Sequence, residues 1–149
     1  MNNDYIMTLT GAQNWDGDTD TTEMRTDCSL STENGAFVIR YDEEPPFGGD
    51  KVTTEFSVNG DTVTLQRGDD AEGMMIFEKG CRHTCWYSTP VGPFMVGICT
   101  QSVESELSKD GGFVKLGYTI DINSALRAQN NISITLRKAD RDNGRNFKS

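Results

Sequence analysis

The sequence VTTEFSVNGDTVTLQR, residues 52–67, indicates the local structure of the chain most clearly. Apolar and polar residues alternate on both sides of Asn59-Gly60, and a period of two is typical of a strand with one buried face. Asn-Gly between two such runs favours a two-residue turn that joins antiparallel strands. With that turn, Val52 would face Arg67. The stretch therefore predicts a β-hairpin with an arginine on its apolar side.

The same alternation recurs along the rest of the chain, between short turns rich in glycine, asparagine, aspartate and proline. Valine, isoleucine and threonine are abundant, whereas alanine and leucine are scarce, a composition that favours strands over helices. We therefore predict an all-β antiparallel meander of about ten strands. Because closure into a barrel removes exposed edges, a lipocalin-like or calycin-like barrel is expected, with a two-sheet sandwich as the alternative.

The chain has 149 residues, a formal net charge of −9 and a sequence pI near 4.5. This length predicts one domain, residues 1–137, followed by a charged tail at 138–149 that is either solvated or an interaction segment. The acid excess repels phosphate and argues against nucleic-acid binding. The longest nearly apolar run, 91–99, is far shorter than the roughly 20 residues that cross a bilayer, and no secretory leader is visible. A cytoplasmic protein without membrane contact is expected, with its four cysteines as thiols.

Several short motifs occur in an order and spacing that resemble a known family. They are Glu23-Met24-Arg25-Thr26, Tyr41 with Glu43, Arg67-Gly68, Tyr87 to Pro90 with Gly92, Thr100 with Ser102-Val103 and Leu107, and Gly111-Gly112 leading to Tyr118. Together they resemble the YwiB-like family of small bacterial proteins over roughly Tyr5 to Arg137. The resemblance implies a calycin (lipocalin-like) barrel and carries no assigned activity. It gives no function to the cysteines or to the acidic segment Asp16 to Asp20.

Strand parity puts several polar side chains on the inner face of the expected barrel. In an up-and-down meander the strand ends at Glu43 and Arg67 meet at one rim, where a half-buried guanidinium needs a carboxylate or a bound anion. The other inward polar residues are Tyr41, Tyr87, Thr100 and Tyr118. An apolar interior with a few polar groups is typical of a small-molecule site, yet a barrel of about this size is also just wide enough to be filled by its own side chains.

These residues define the functional hypothesis of a non-enzymatic barrel that binds a small, partly apolar and anionic ligand, anchored by Arg67 and oriented by Glu43. Alternatively, the core is filled, the two residues form a structural ion pair, and the protein acts as an interaction module or homodimer through its outer face. Parity points Trp86 outward. With Pro90 to Pro93 as the loop of its hairpin, Trp86 would lie opposite Gly97. There it would shield that glycine, pack against the C-terminal segment or contact a partner.

Three further clusters each contain residue types that occur in metal sites or active sites. The segment Cys81 to Cys85 carries two thiols and the single histidine on one strand face, but alternate residues of a strand are about 7 Å apart, too far for ligands of one zinc ion. Asp16 to Asp20 opens like a calcium loop but lacks its glycine and its flanking helices. Asp42 and Glu43 point to opposite faces and cannot act on one substrate together. No metal, cofactor or catalytic residue is predicted, and an enzyme with a rim carboxylate is the third alternative.

Overall fold

The structure, a computed structural model, describes residues 4–15, 17–43, 51–68, 74–89, 92–122 and 126–139. The described residues contain ten β-strands and no helix, so no helix among them is long and apolar enough to span a membrane. Most of the predicted tail, residues 140–149, lies outside this part of the chain. The strands are β1 (Tyr5–Trp15), β2 (Asp18–Glu33), β3 (Ala36–Glu43), β4 (Val52–Asn59), β5 (Thr62–Arg67), β6 (Met75–Glu78), β7 (Arg82–Thr89), β8 (Gly92–Ser108), β9 (Gly111–Ile122) and β10 (Leu126–Lys138).

The ten strands form one antiparallel sheet in the order β6-β5-β4-β3-β2-β1-β10-β9-β8-β7. Consecutive strands pair with each other except for β6 and β7, and β1 also pairs with β10, from Tyr5 opposite Lys138 to Asn14 opposite Gln129. The two end strands, β6 and β7, lie side by side without a hydrogen-bonded ladder between their described residues. The sheet is therefore a nearly closed barrel, and the predicted all-β meander of about ten strands is confirmed.

Two long strands, β2 and β8, let the sheet curl, because each changes neighbours along its length. β2 pairs with β1 through residues 18–28 and with β3 through residues 29–33. β8 pairs with β7 through residues 92–99 and with β9 through residues 96–108, with an irregular register between Thr100 and Ser102. A bulge of this kind bends a strand and increases its twist. The bend directs the second half of β8 away from β7 and curves the sheet around the core.

The inner faces of the strands pack into one hydrophobic core. Because apolar residues alternate along each strand, every strand contributes one face to the interior. Phe77 of β6 contacts Tyr118 of β9, with ring centroids 4.7 Å apart. This contact joins the end strand β6 to β9, on the other side of the gap between β6 and β7. It therefore helps to close the barrel at the gap. Fully buried members of the core include Met7, Ile39, Phe77, Ile98 and Ile134, which come from five strands.

The hairpin of β4 and β5 differs from its predicted register by two residues. Its turn is Gly60-Asp61 rather than Asn59-Gly60: the positive φ of 63° falls at Gly60, which takes the first turn position, and the asparagine remains in the strand. Arg67 consequently lies opposite Thr54 instead of Val52. Because side chains alternate with a period of two, a shift of two residues preserves the face, and Arg67 stays on the apolar side.

The hairpin of β7 and β8 is shifted by two residues as well. Gly92-Pro93 belongs to β8 rather than to the loop, so Trp86 lies opposite Met95 and not opposite Gly97. Trp86 still points outward, as its parity predicted. Gly97 is instead covered by the side chain of Arg82, which a Cβ at that position would overlap. The predicted shielding of Gly97 by Trp86 is therefore wrong.

Candidate ligand-binding site

The up-and-down order brings three strand ends together at one end of the barrel. β3 ends at Glu43, β4 begins at Val52 and β5 ends at Arg67, and Glu43 lies directly opposite Val52. The turn between β1 and β2 belongs to the same end, which we call the Arg67 end. Several acidic residues adjoin these strand ends in the sequence, and we predict that they gather here; of these, Asp16, Glu44 and Asp69-Asp70 lie outside the described residues.

Arg67 and Glu43 form an ion pair at this end. Nε of Arg67 lies 3.4 Å from Oε2 of Glu43, and the two side chains are 55% and 23% exposed. A pair this long and this exposed contributes little to stability. Glu43 is the one ion-pair partner of Arg67 within the described ranges, so much of the guanidinium faces solvent.

Two buried hydroxyl groups lie behind this ion pair. Tyr41 faces Thr54 across β3 and β4, and Thr54 faces Arg67 across β4 and β5. Burial and the charge of Glu43 raise the pKa of Tyr41, while Arg67 opposes them. Thr54 is fully buried, and although its hydroxyl lies near the Tyr41 phenol, it has no hydrogen-bond partner among the described residues. A buried hydroxyl without a partner is destabilising, so Thr54 is an unsatisfied polar group beside the Arg67 end.

A second pair of buried hydroxyls lies across the barrel. Thr100 of β8 faces Tyr118 of β9, and the two residues are 2% and 8% exposed. The Thr100 hydroxyl has no hydrogen-bond partner in the described part of the chain, and burial raises the pKa of Tyr118 to about 12. The remaining residue of the predicted set, Tyr87, pairs with Phe94 in the backbone ladder, and its side chain lies outside the described residues.

A cavity of about 210 Å³ opens beside Tyr118. Its walls include Gln13 and Asp20, which lie opposite each other near the turn of β1 and β2, so the cavity opens toward the Arg67 end. Its volume is below the range of about 300–1,000 Å³ that is usual for ligand sites, and it fits a small solute or one part of a larger one. The other lining residues are Leu9, Gly11, Ala12, Thr22, Asn130, Asn131 and Ile132.

A larger groove, of about 740 Å³, lies on the outer face of β1, β2 and β8 to β10. It exists because the outward side chains there are small: Thr10 and Ala12 on β1, Ser102 on β8 and Ser133 on β10. None of the predicted site residues lines it. The groove is thus a feature of the outer surface and is separate from the Arg67 end.

The ion pair of Arg82 and Asp121 is a feature that the sequence analysis missed. Nη2 of Arg82 lies 3.0 Å from one Asp121 oxygen and 3.3 Å from the other, and the aspartate side chain is only 13% exposed. Both side chains lie over Gly97, where a Cβ would overlap them. A glycine inside a strand pattern is the signal that could have indicated this close approach.

The cysteine and histidine cluster is not arranged as a metal site. Nε2 of His83 lies 2.8 Å from Oε1 of Glu78, and the exposed Cys99 lies on the outer face. Within the described ranges, no group of three or more histidine, cysteine, aspartate or glutamate side chains is placed to hold a metal ion. All four cysteines are free thiols.

We expect the free energy of unfolding to fall as the pH rises from about 9 to about 12. Burial raises the pKa of Tyr118 from 10.0 to about 12 and the pKa of Cys28 from 9.0 to about 12. Above pH 9 the unfolded chain releases these protons first and binds fewer than the folded chain, so the slope of stability with pH is negative. Each pKa unit corresponds to about 1.4 kcal/mol. Urea denaturation at a series of pH values measures the loss.

The matched variant is Tyr118→Phe, which keeps the ring beside Phe77 and removes one titrating group. Because the packing of the ring is kept, we expect this variant to stay within about 1 kcal/mol of the wild type in stability at pH 7. It should lose less stability than the wild type between pH 10 and pH 12. Equal losses in the two proteins would contradict the assignment.

Together, the fold and the site define a small antiparallel β-barrel with a polar cluster at one open end. The family model of DUF1934, a domain of unknown function, matches residues 7–134. The chain therefore belongs to this family, and the YwiB-like resemblance of its motifs is confirmed. The crystal structure of the ywiB protein from Bacillus subtilis is similar, with a TM-score of 0.80 and 21% sequence identity over 91% of each chain, a likeness that supports the fold. No curated protein matches the chain.

Proposed function

We propose that this protein binds a small anionic molecule at the Arg67 end of its barrel, without acting on it chemically. One observation carries the proposal: the fully buried Thr54 hydroxyl has no hydrogen-bond partner in the described part of the chain and lies directly opposite Arg67, whose side chain is 55% exposed. A bound carboxylate would give both groups a partner. Such a ligand would stabilise the site through two contacts, an ion pair with the Arg67 guanidinium and a hydrogen bond with the buried Thr54 hydroxyl.

The remaining predicted residues would act as follows. Glu43 holds Arg67 from one side at 3.4 Å and so orients its free nitrogens. Tyr41 stays protonated because burial and the neighbouring Glu43 raise its pKa, and it would line the site beside Thr54. The apolar part of the ligand would extend toward the cavity of about 210 Å³ beside Tyr118. Thr100, which lies opposite Tyr118 in register, would offer a further hydroxyl, and Tyr87 stays a predicted contact from its parity. The modest volume favours a small or slender ligand.

Binding without catalysis is proposed because the two carboxylates at the described end of β3 do not converge. Glu43 is paired with Arg67, whereas Asp42 points to the opposite face and accepts a hydrogen bond from Thr53 at 2.8 Å. We also propose a cytosolic location, since all four cysteines are free thiols, as in proteins of a reducing compartment.

Three probes with the same eight-carbon tail test the proposed specificity: octanoate, octanol and octylamine. We expect calorimetry to give the highest affinity for octanoate. Arg67→Gln should weaken octanoate binding by about tenfold or more, because a hydrogen bond to a charged group is worth at least about 1.5 kcal/mol. Octanol binding should stay unchanged in that variant. Glu43→Gln should strengthen octanoate binding, since it removes a negative charge that repels the carboxylate and keeps an amide oxygen that can still orient Arg67.

The matched control is Arg25→Gln, which removes an exposed arginine from β2 and should leave all three affinities unchanged apart from a small effect of net charge. Native mass spectrometry of protein purified from its own organism should detect a co-purifying acid as added mass. Equal binding of the three probes, together with no added mass, would refute the proposal.

A further inference from the structure

The two most exposed large hydrophobic side chains of the described residues lie next to each other. Trp86 is 50% exposed and Met95 is 41% exposed, and they are cross-strand neighbours on the outer face of β7 and β8. Aromatic residues and methionine are enriched in the cores of protein interfaces, where water is excluded. We call the outer surface formed by Arg82, Thr84, Trp86, Met95 and Gly97 the Trp86 face.

The Trp86 face lies on the longest part of the chain without carboxylates. Residues 79–103 contain no aspartate or glutamate, although the whole chain has 23 of them and a net charge of −9. Asp121 of β9 borders the face, but its charge is compensated by Arg82 at 3.0 Å. Two copies of so acidic a protein repel each other over most of their surfaces. The neutral Trp86 face is where they can approach closely.

The face is also complementary to itself. Arg82, Thr84 and Trp86 are alternate residues of β7 and point outward, so Arg82 and Trp86 each lie about 7 Å from Thr84 along the strand. Asp121 holds the Arg82 guanidinium over Gly97, and the Arg82 side chain is still 45% exposed. A tryptophan ring packs favourably on such an exposed guanidinium plane.

We propose that two copies of this chain associate through the Trp86 face, related by a two-fold axis that passes near Thr84. In this arrangement Trp86 of each copy packs on Arg82 of the other, and Met95 packs at the edge of the ring. A two-fold interface requires that the same two patches meet twice, which the symmetric spacing about Thr84 provides. Thr84 is small, so the two surfaces meet closely at the axis.

Sedimentation velocity over a wide range of protein concentration tests this dimer. We expect a reversible monomer-dimer equilibrium that Trp86→Ala weakens roughly thirtyfold or more, the magnitude of an interface hot spot. Arg82→Lys keeps the charge but loses the planar guanidinium, and it should weaken the dimer too. Added salt should strengthen association, because it screens the repulsion between two chains of charge −9.

Phe113→Ala is the matched control, since Phe113 is an aromatic residue on the outer face of β9, away from β7, where it lies under Lys115. This variant should dimerise like the wild type. Trp86 is half exposed, so its truncation leaves the core intact, and circular dichroism verifies that; Met95→Ala provides a second, smaller truncation with the same expected direction. A protein that is monomeric at all concentrations, a dimer that Trp86→Ala leaves unchanged, or a dimer that salt weakens would overturn the proposal.

Discussion

Phe77→Ala should lower the free energy of unfolding by about 3–5 kcal/mol, the range for loss of a fully buried phenylalanine. Phe77 has no exposed surface, and its ring contacts Tyr118 at 4.7 Å between centroids. Among the described strands β6, with four residues, forms a ladder only with β5. The Phe77 ring and the hydrogen bond between Glu78 and His83 at 2.8 Å attach it to the other side of the barrel. The truncation therefore leaves a cavity and weakens the attachment of an end strand. Urea denaturation measures the loss.

Phe113→Ala provides the comparison for Phe77→Ala. Phe113 is half-buried on the outer face of β9, and its truncation removes less apolar area from contact, so we expect a loss of about 1 kcal/mol. Hydrogen exchange of the β6 amides should accelerate in the Phe77 variant alone. Similar losses in the two variants would mean that Phe77 does not close the barrel.

Gly112→Ala should prevent stable folding or cost about 3 kcal/mol or more. Gly112 has a φ of 137°, which side chains rarely adopt, and a Cβ there would overlap the backbone carbonyl of Glu106. It pairs with Leu107 on one side and with Leu136 on the other, so neither neighbouring strand can move away without breaking a ladder. Soluble yield and the urea midpoint measure the effect.

Gly97→Ala is the informative contrast to Gly112→Ala. The Cβ at position 97 would meet the side chains of Arg82 and Asp121 rather than backbone. Side chains can rotate away, so we expect a folded protein that loses about 1–2 kcal/mol as the Arg82–Asp121 pair is disturbed. If Gly97→Ala destabilised the protein more than Gly112→Ala, the reasoning from backbone overlap would be wrong.

Much of the fold could be predicted from the sequence because strand parity depends only on alternation. The β4–β5 hairpin and the β7–β8 hairpin are both shifted by two residues from their predicted pairing. Inward and outward faces are nevertheless as predicted, because a shift of two preserves them. Alternation cannot determine which residue begins a turn. In the β4–β5 turn only Gly60 has a positive φ, so Asn59 keeps a strand conformation and pairs with Thr62.

The candidate site could be predicted only in part, for a similar reason. Glu43 and Arg67 follow from parity and from the up-and-down order, which places strand ends together. The fully buried Thr54 lies between Tyr41 and Arg67 in register, and it was missed because the predicted register put Val52 there. The Arg82–Asp121 pair joins β7 to β9 across β8, and a contact between strands that are not adjacent cannot be deduced from pairwise alternation.

The pairing of β1 with β10 has a consequence for the order in which the barrel assembles. Around the barrel the strands follow their sequence order, with β1 paired to β10 and with no ladder between the described residues of β6 and β7. Every other ladder joins strands that are consecutive in the chain and can form as a local hairpin soon after its second strand is made. The β1–β10 ladder instead spans nearly the whole chain, so the outer edge of β1 remains unpaired during synthesis until β10 emerges. Contact formation between the first and last strands should therefore be the slow step of folding.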